Sequence, residues 1–266
     1  MNNIIRAGQW LFGIAITAFG IEFFAFNSSL AGLMPLPSSI NQPPWIYIPG
    51  LLLIAAGICI ILHFRQRLTA LLLAVFLLLL CLWLHVPAVL SVITNGGKWT
   101  AIFELIALGS GALLTAALPV TKGNVSNDKT NRFSHTIYMT GKILFAMSLV
   151  VFGILHFVYA TYIATLIPSW IPAPLFLSYF IGAAFIAAAA SLFFTLLVTL
   201  SSSLLALMFF IWVTILHAPR VLANPQTEAE WTSLFVALAI GAIALQLYGL
   251  AANVQSQRKA YQLKVK

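Results

Sequence analysis

The second half of this chain repeats the first, so its fold must be one that a single module can build twice. Gly8, Leu11, Phe12, Phe19, Gly20 and Pro35 recur as Gly141, Leu144, Phe145, Phe152, Gly153 and Pro168, an offset of 133. After a one-residue slip in the loop that follows, the offset is 132. Gly50, Leu84, His85, Pro87, Leu90, Trp99, Phe103 and Gly109 then recur as Gly182, Leu216, His217, Pro219, Leu222, Trp231, Phe235 and Gly241. A His-x-Pro with a tryptophan twelve residues after the proline, present twice and in register, marks a duplication.

Apolar residues make up 62 % of the 266 and charged ones 7 %, a balance no water-facing surface sustains. Eight stretches are long and apolar enough to cross a bilayer as helices: 8–26, 45–63, 68–86, 98–118, 141–162, 175–197, 201–218 and 231–252. The expected fold is all-α, a polytopic membrane protein whose eight transmembrane helices form two parallel four-helix-bundle repeats. Residues 1–118 are the first module, 119–140 a polar cytoplasmic linker, 141–252 the second module and 253–266 a basic tail. The join between the sixth and seventh spans, from Thr195 to Ser203, has no strong break of its own. Arg65-Gln66-Arg67 splits the matching stretch of the first half and places it. Arg6 and Ser29-Leu30-Ala31 imitate a secretory signal and its cleavage site. Residues 8–26 match 141–159, however, so the first stretch is expected to be a retained helix.

Charge sets the expected orientation. One side holds Arg6, Arg65, Arg67, Lys122, Lys129, Arg132, Lys142, Arg258, Lys259, Lys264 and Lys266, and the other only Lys98 and Arg220. This places both termini in the cytoplasm. The net charge of +8 then reads as topology and attraction to anionic headgroups of the lipid bilayer, with no soluble domain for nucleic acid. Cys59 and Cys81 lie toward opposite membrane faces, more than about 15 Å apart at helical rise, too far for a disulfide. No metal site is expected, and there is no cysteine cluster, haem-type histidine pair or dinucleotide motif to carry electrons.

Ionisable groups inside membrane helices are costly, which makes each a site candidate. Glu22, His85 and Glu104 fall in the same outer third of the membrane, and a helix bundle is expected to bring them toward one interior point. Structural roles compete: Glu104 beside a helix N-terminus or Lys98, His85 before a proline stop, Glu22 as interhelical glue. The second half has Leu155 in place of Glu22 and Val236 in place of Glu104. It keeps His217 and places His156 where the first half has Phe23. The first half is therefore expected to hold the more capable site. Glu228 and Glu230 read as solvated, and the inner halves of the helices as almost wholly apolar, which argues against an ion-conducting route. Of the seven tryptophans only Trp10 lies on the inner side. Trp45, Trp83, Trp99 and Trp231 join the two carboxylates and three histidines as candidate ligand-binding residues. The proline-rich loops 34–45 and 167–174 could roof a cavity for a flat apolar molecule, a quinone or a lipid tail. No catalytic residue is assigned. Gly109-Ser110-Gly111-Ala112 and Ala187 to Ser191 should allow close helix contact.

Val151-Phe152-Gly153-Ile154-Leu155-His156-Phe157, the loop Ile167-Pro168-Ser169-Trp170-Ile171-Pro172, the glycine-bearing helix from Gly182 and Leu216-His217-Ala218-Pro219 resemble the DoxX-like membrane proteins. Phe19-Gly20-Ile21-Glu22-Phe23 matches the common Glu-His variant at Glu22 and departs from it at Phe23. The resemblance implies a tandem of four-helix modules in a bacterial inner membrane. Some family members serve as small subunits of thiosulfate:quinone oxidoreductases, and others are tied to thiol redox systems. Three readings stand open: a membrane subunit of a quinone-linked oxidoreductase with a soluble or membrane redox partner, a binder or transporter of a small apolar ligand, and a scaffold or assembly protein.

Overall fold

The computed structural model describes the backbone of residues 3–118 and 128–265 and the side chains of 3–118 and 132–253. Among these residues there is no strand. The helices are α1 Asn3–Ala25, α2 Tyr47–Ile61, α3 Gln66–Ser91, α4 Gly96–Ala117, α5 Asp128–Val158, α6 Ala160–Leu166, α7 Pro174–Phe194, α8 Val198–Ala223 and α9 Glu228–Val265. Seven of them are long and apolar enough to cross a membrane. Large apolar side chains stand exposed around the outside, among them Leu72, Leu79 and Leu82 on α3 and Phe180 and Phe194 on α7. Such a surface suits lipid rather than water. The chain is a polytopic helical protein of membrane type.

Two sequence boundaries shift. The stretch expected to be the second span contributes only the 15 residues of α2, a rise of about 22 Å against the roughly 30 Å of a bilayer's hydrocarbon core. Its partner α7 begins earlier in the repeat. In the first half Pro43 and Pro44 stand there, and their missing N–H groups keep the segment before Tyr47 in turns. The polar linker is shorter than 119–140, because α5 already begins at Asp128. The stretch 119–127 lies outside the described residues. No proline or glycine interrupts 128–140, so polar residues simply extend the helix. The tail likewise continues α9 to Val265.

Matched positions of the two halves share local geometry. Both turns on the face carrying the termini use paired left-handed residues, His63 and Arg65 (φ 55° and 41°) and Thr195 and Leu197 (φ 56° and 51°). Both α3 and α8 contain a π-helical turn, Cys81–His85 and Val213–His217. Pro87 and Pro219 explain these. A proline ring presses on the carbonyl four residues back, here Trp83 or Ile215, and offers it no N–H; a widened turn relieves the clash. Each histidine closes its widened turn.

Packing does not keep the halves apart as two four-helix bundles. The first helix of each half lies against the last helix of the other, α1 on α9 and α5 on α4, while α4 and α9 meet across the middle. The result is two lobes sharing a waist: α1, α2 and α3 on one side, α5, α7 and α8 on the other. Close crossings rest on small residues. Gly20 faces the Gly50 carbonyl between α1 and α2, and Gly153 faces the Gly182 carbonyl between α5 and α7. Gly111 admits Ile243 and Phe12 at the waist, and Gly141 lies against the Ser110 carbonyl.

The inner part of the waist is more polar than its sequence suggests. Gln66 Nε2 donates to the Thr115 carbonyl at 3.2 Å and its Oε1 lies 2.9 Å from His63 Nδ1. Thr115 Oγ1 lies 3.1 Å from Gln246 Oε1, and Gln246 Nε2 donates to the Gly8 carbonyl at 3.4 Å. Lys142 is buried, its Nζ donating to Thr195 Oγ1 at 3.0 Å. The crossing of α1, α4 and α9 gathers Gly8, Thr115 and Gln246, Gln66 reaches Thr115 from the start of α3, and Lys142 reaches the turn after α7 from α5.

A Cβ on Gly20 would stand 2.5 Å from the Gly50 carbonyl oxygen. Gly20→Val is expected to lower stability by about 1–3 kcal/mol through overpacking, read as a fall in the thermal unfolding midpoint in detergent. Val substituted at Gly32, which has open space around it, should leave that midpoint nearly unchanged.

Candidate functional site

The second lobe encloses a cavity of about 940 Å³ near the face carrying the proline-rich loops. Its mouth is edged by Thr94 to Gly97, the turn before α4, and it reaches between the helices to Phe185 and Phe209. The turn is clamped there: Tyr159 Oη donates to the Thr94 carbonyl at 2.7 Å, and its ring lies against Gly96, where any side chain would collide. The walls are mostly aromatic and aliphatic. The polar groups in them include Glu104 and Thr100 from α4, His156 in the last turn of α5 and Tyr159 just after it, Tyr162 of α6, His217 at the π turn of α8 and Ser233 of α9.

Three sequence-derived candidates therefore share this cavity: Glu104, His156 and His217. The second-half histidines are joined by a carboxylate from the first half, because α4 packs on α5. His156 Nδ1 donates to the Phe152 carbonyl one turn back at 2.8 Å, and its ring stands edge-on to Phe185 at 5.2 Å. That bond sets the tautomer and leaves Nε2 as an acceptor. His217 is half-buried, and its Nδ1 has no hydrogen-bond partner among the described residues. Glu104 makes no hydrogen bond among the described residues and is half-buried in the cavity wall. An acceptor, a carboxyl and an imidazole facing one apolar space can orient a molecule with a polar end, and the imidazoles can exchange a proton with it.

Glu22 and His85 do not converge on Glu104. Glu22 points from α1 to α9, where the Thr232 hydroxyl lies 2.5 Å from Glu22 Oε2 and 2.8 Å from Glu228 Oε1. A hydroxyl has one hydrogen, so the second of these contacts closes when a carboxyl supplies a proton. His85 is buried and its Nε2 donates to the Leu33 carbonyl at 2.8 Å. The reason is the exchange of first helices, which turns Glu22 toward the second half's α9 and Glu104 toward the second half's α5. Glu228 and Glu230 are not free in solvent either. Glu230 forms a two-point ion pair with Arg220, at 2.9 and 2.8 Å.

The four candidate tryptophans lie outside the cavity wall. Trp45 and Trp83 are more than half exposed on the outer surface. Trp99 and Trp231 pin their own loops in matching ways. Trp99 Nε1 donates to the Ile93 carbonyl at 2.8 Å with its ring stacked on Phe103, and Trp231 Nε1 donates to the Pro225 carbonyl at 3.0 Å with its ring stacked on Phe235. The cavity instead uses Trp212, Phe185 and Phe209, which sequence reasoning did not single out. A signal existed: the matched positions of the first half hold Leu80, Leu53 and Leu77. Among the described residues no three His, Cys, Asp or Glu side chains are grouped to hold a metal ion.

Comparison with protein-family models, with curated proteins and with solved structures finds no match. The site is therefore read from this chain's own residues.

Thr232→Val removes the donor between two carboxyls at the α1–α9 contact. It is expected to cost about 1–3 kcal/mol, the penalty for a buried polar group left unpaired, seen as earlier unfolding in a denaturing-detergent titration. Thr100→Val, whose hydroxyl only returns to the Gly96 carbonyl of its own helix, should cost far less.

Proposed function

We propose that this protein is an integral membrane protein that binds a hydrophobic small molecule, a quinone or a lipid, in the cavity of its second lobe. The observation that carries the reading is an apolar space of about 940 Å³ with Glu104, His156 and His217 in its wall. Ligand sites of this kind are apolar with a few convergent polar groups. Ionisable side chains at membrane depth are otherwise costly. The matched offsets, turns and π segments support two parallel repeats with eight crossings, α2 completing the second with its flanking residues. The distribution of Lys and Arg supports cytoplasmic termini in a bacterial inner membrane. The resemblance to DoxX-like proteins extends the proposal to a quinone-linked oxidoreductase system, with the electron carrier in a partner and proton-handling groups in this chain.

Two experiments test this. Ala101 of α4 lines the cavity, and Ala101→Trp fills it without touching the polar groups. Mass spectrometry of protein purified in mild detergent should find an apolar molecule at near one per chain in the wild type, reduced at least tenfold in the variant. Only bulk phospholipid, equal in both, would sink the binding reading and leave a scaffold. For topology, a cysteine replacing Lys266 in a chain with Cys59→Ser and Cys81→Ser should react with an impermeant maleimide in inside-out vesicles and not in intact spheroplasts. The reverse pattern would invert the orientation.

A further inference from the structure

The two lobes are built from matched residues, yet one is filled and the other open. In the first lobe the loop after α1 folds into the mouth. Leu30, Leu33 and Met34 are fully buried there and belong to the main apolar core. A tight turn forms them into a plug, with the N–H groups of Leu33 and Met34 donating to the Leu30 carbonyl at 3.2 and 2.7 Å. Asn41 Oδ1 holds its start by accepting from the Ser29 N–H at 3.0 Å, and Asn27 Oδ1 accepts from Tyr47 Oη at 2.6 Å. The plug offers the Leu33 carbonyl oxygen to the lobe, and His85 Nε2 donates to it at 2.8 Å.

At the offset of 133, these three residues correspond to Ile163, Leu166 and Ile167. There the chain takes another course. It forms the short helix α6, Ala160–Leu166, and the same three positions line the open cavity. His217, the counterpart of His85 at the end of the matching π turn, lines that cavity too and meets no carbonyl among the described residues. The first lobe thus supplies for itself what the second lacks: an apolar filling and one carbonyl oxygen on the histidine.

We infer that the second lobe binds a neutral apolar molecule through a carbonyl oxygen that accepts a hydrogen bond from His217, in the place that the Leu33 carbonyl takes on His85. This rests on the ligand-binding reading above and narrows it. Neutrality follows from the lining, which holds no Lys or Arg among the described residues to pair a ligand carboxylate in an apolar space. Two sources carry this chemistry, the ring carbonyl of a quinone and the acyl ester of a neutral lipid.

The test uses the full chain with ¹⁵N in its histidine rings and tryptophan indoles, in an alkyl maltoside micelle, which has no carbonyl. The Trp212 indole, in the cavity wall, reports occupancy, and the His217 ring reports the hydrogen bond. Signals are assigned with Trp212→Phe and His217→Phe. A long-chain methyl ketone should move both signals, while the alkane of equal length moves only Trp212. His217→Phe should weaken ketone binding about tenfold, the loss expected for one hydrogen bond of roughly 1.4 kcal/mol, and leave alkane binding unchanged. His217→Gln, which keeps a donor, should recover part of the loss. A decyl benzoquinone and a fatty-acid methyl ester then compete for the ketone site. Displacement by either supports the inference, and the tighter competitor names the source. The free fatty acid should compete less well than its ester. If ketone and alkane move Trp212 alike and His217 stays still, the carbonyl inference is overturned while ligand binding stands. If nothing moves Trp212, both fall.

Discussion

Hydrocarbon offers no hydrogen bonds, so a chain of this composition closes its backbone within helices and leaves tertiary structure to decide which helix faces meet. Here the deciding contact is the exchange of first helices between halves, α1 onto α9 and α5 onto α4. Glycines permit it by letting backbones approach, at Gly8 beside Gln246 and Gly141 beside the Ser110 carbonyl. Everything polar in the interior follows from that choice. Glu22 finds Thr232 across the α1–α9 seam, Gln246 reaches both Thr115 and Gly8, and Glu104 is delivered into the lobe of the other half. Neither half would present these groupings alone.

Two halves with matched residues form one packed lobe and one hollow one. The frame is common: paired left-handed turns, proline-driven π segments and loop-pinning tryptophans occur at matched positions. The loop after the first helix is where the halves part. In the first it is a turn anchored by asparagines, with leucine and methionine pressed inward. In the second it is a helix that stands back from the mouth. The larger rings of Phe185, Phe209 and Trp212 line the space that results, and His156 replaces the buried Phe23. The carboxylates are not shared evenly either, and the loss of one at Val236 leaves the first lobe without a counterpart to Glu104.

Depth along a helix can be read by counting residues, and on that count Glu22, His85 and Glu104 are expected near one level. Direction cannot be read this way when apolar residues surround the whole helix, because periodicity then gives no face. That is why these three groups end in three settings: a seam, a plugged lobe and a cavity. The tryptophans illustrate the same gap. Their position near the loop face follows from sequence, but Trp99 and Trp231 serve their own turns, and Trp212 lines the cavity.

By itself the sequence determined the membrane class, the helical segments to within a turn at most ends and the prolines that widen α3 and α8. These follow from composition, spacing and the covalent limits of proline, all of which act locally. Tertiary structure alone decided that the halves interlock, that α2 is short of a full span, that the inner waist is polar and that the second lobe is the open one. Those outcomes depend on which surfaces fit together, and helix contact in an apolar medium is settled by shape at the small residues rather than by any difference in hydrophobicity.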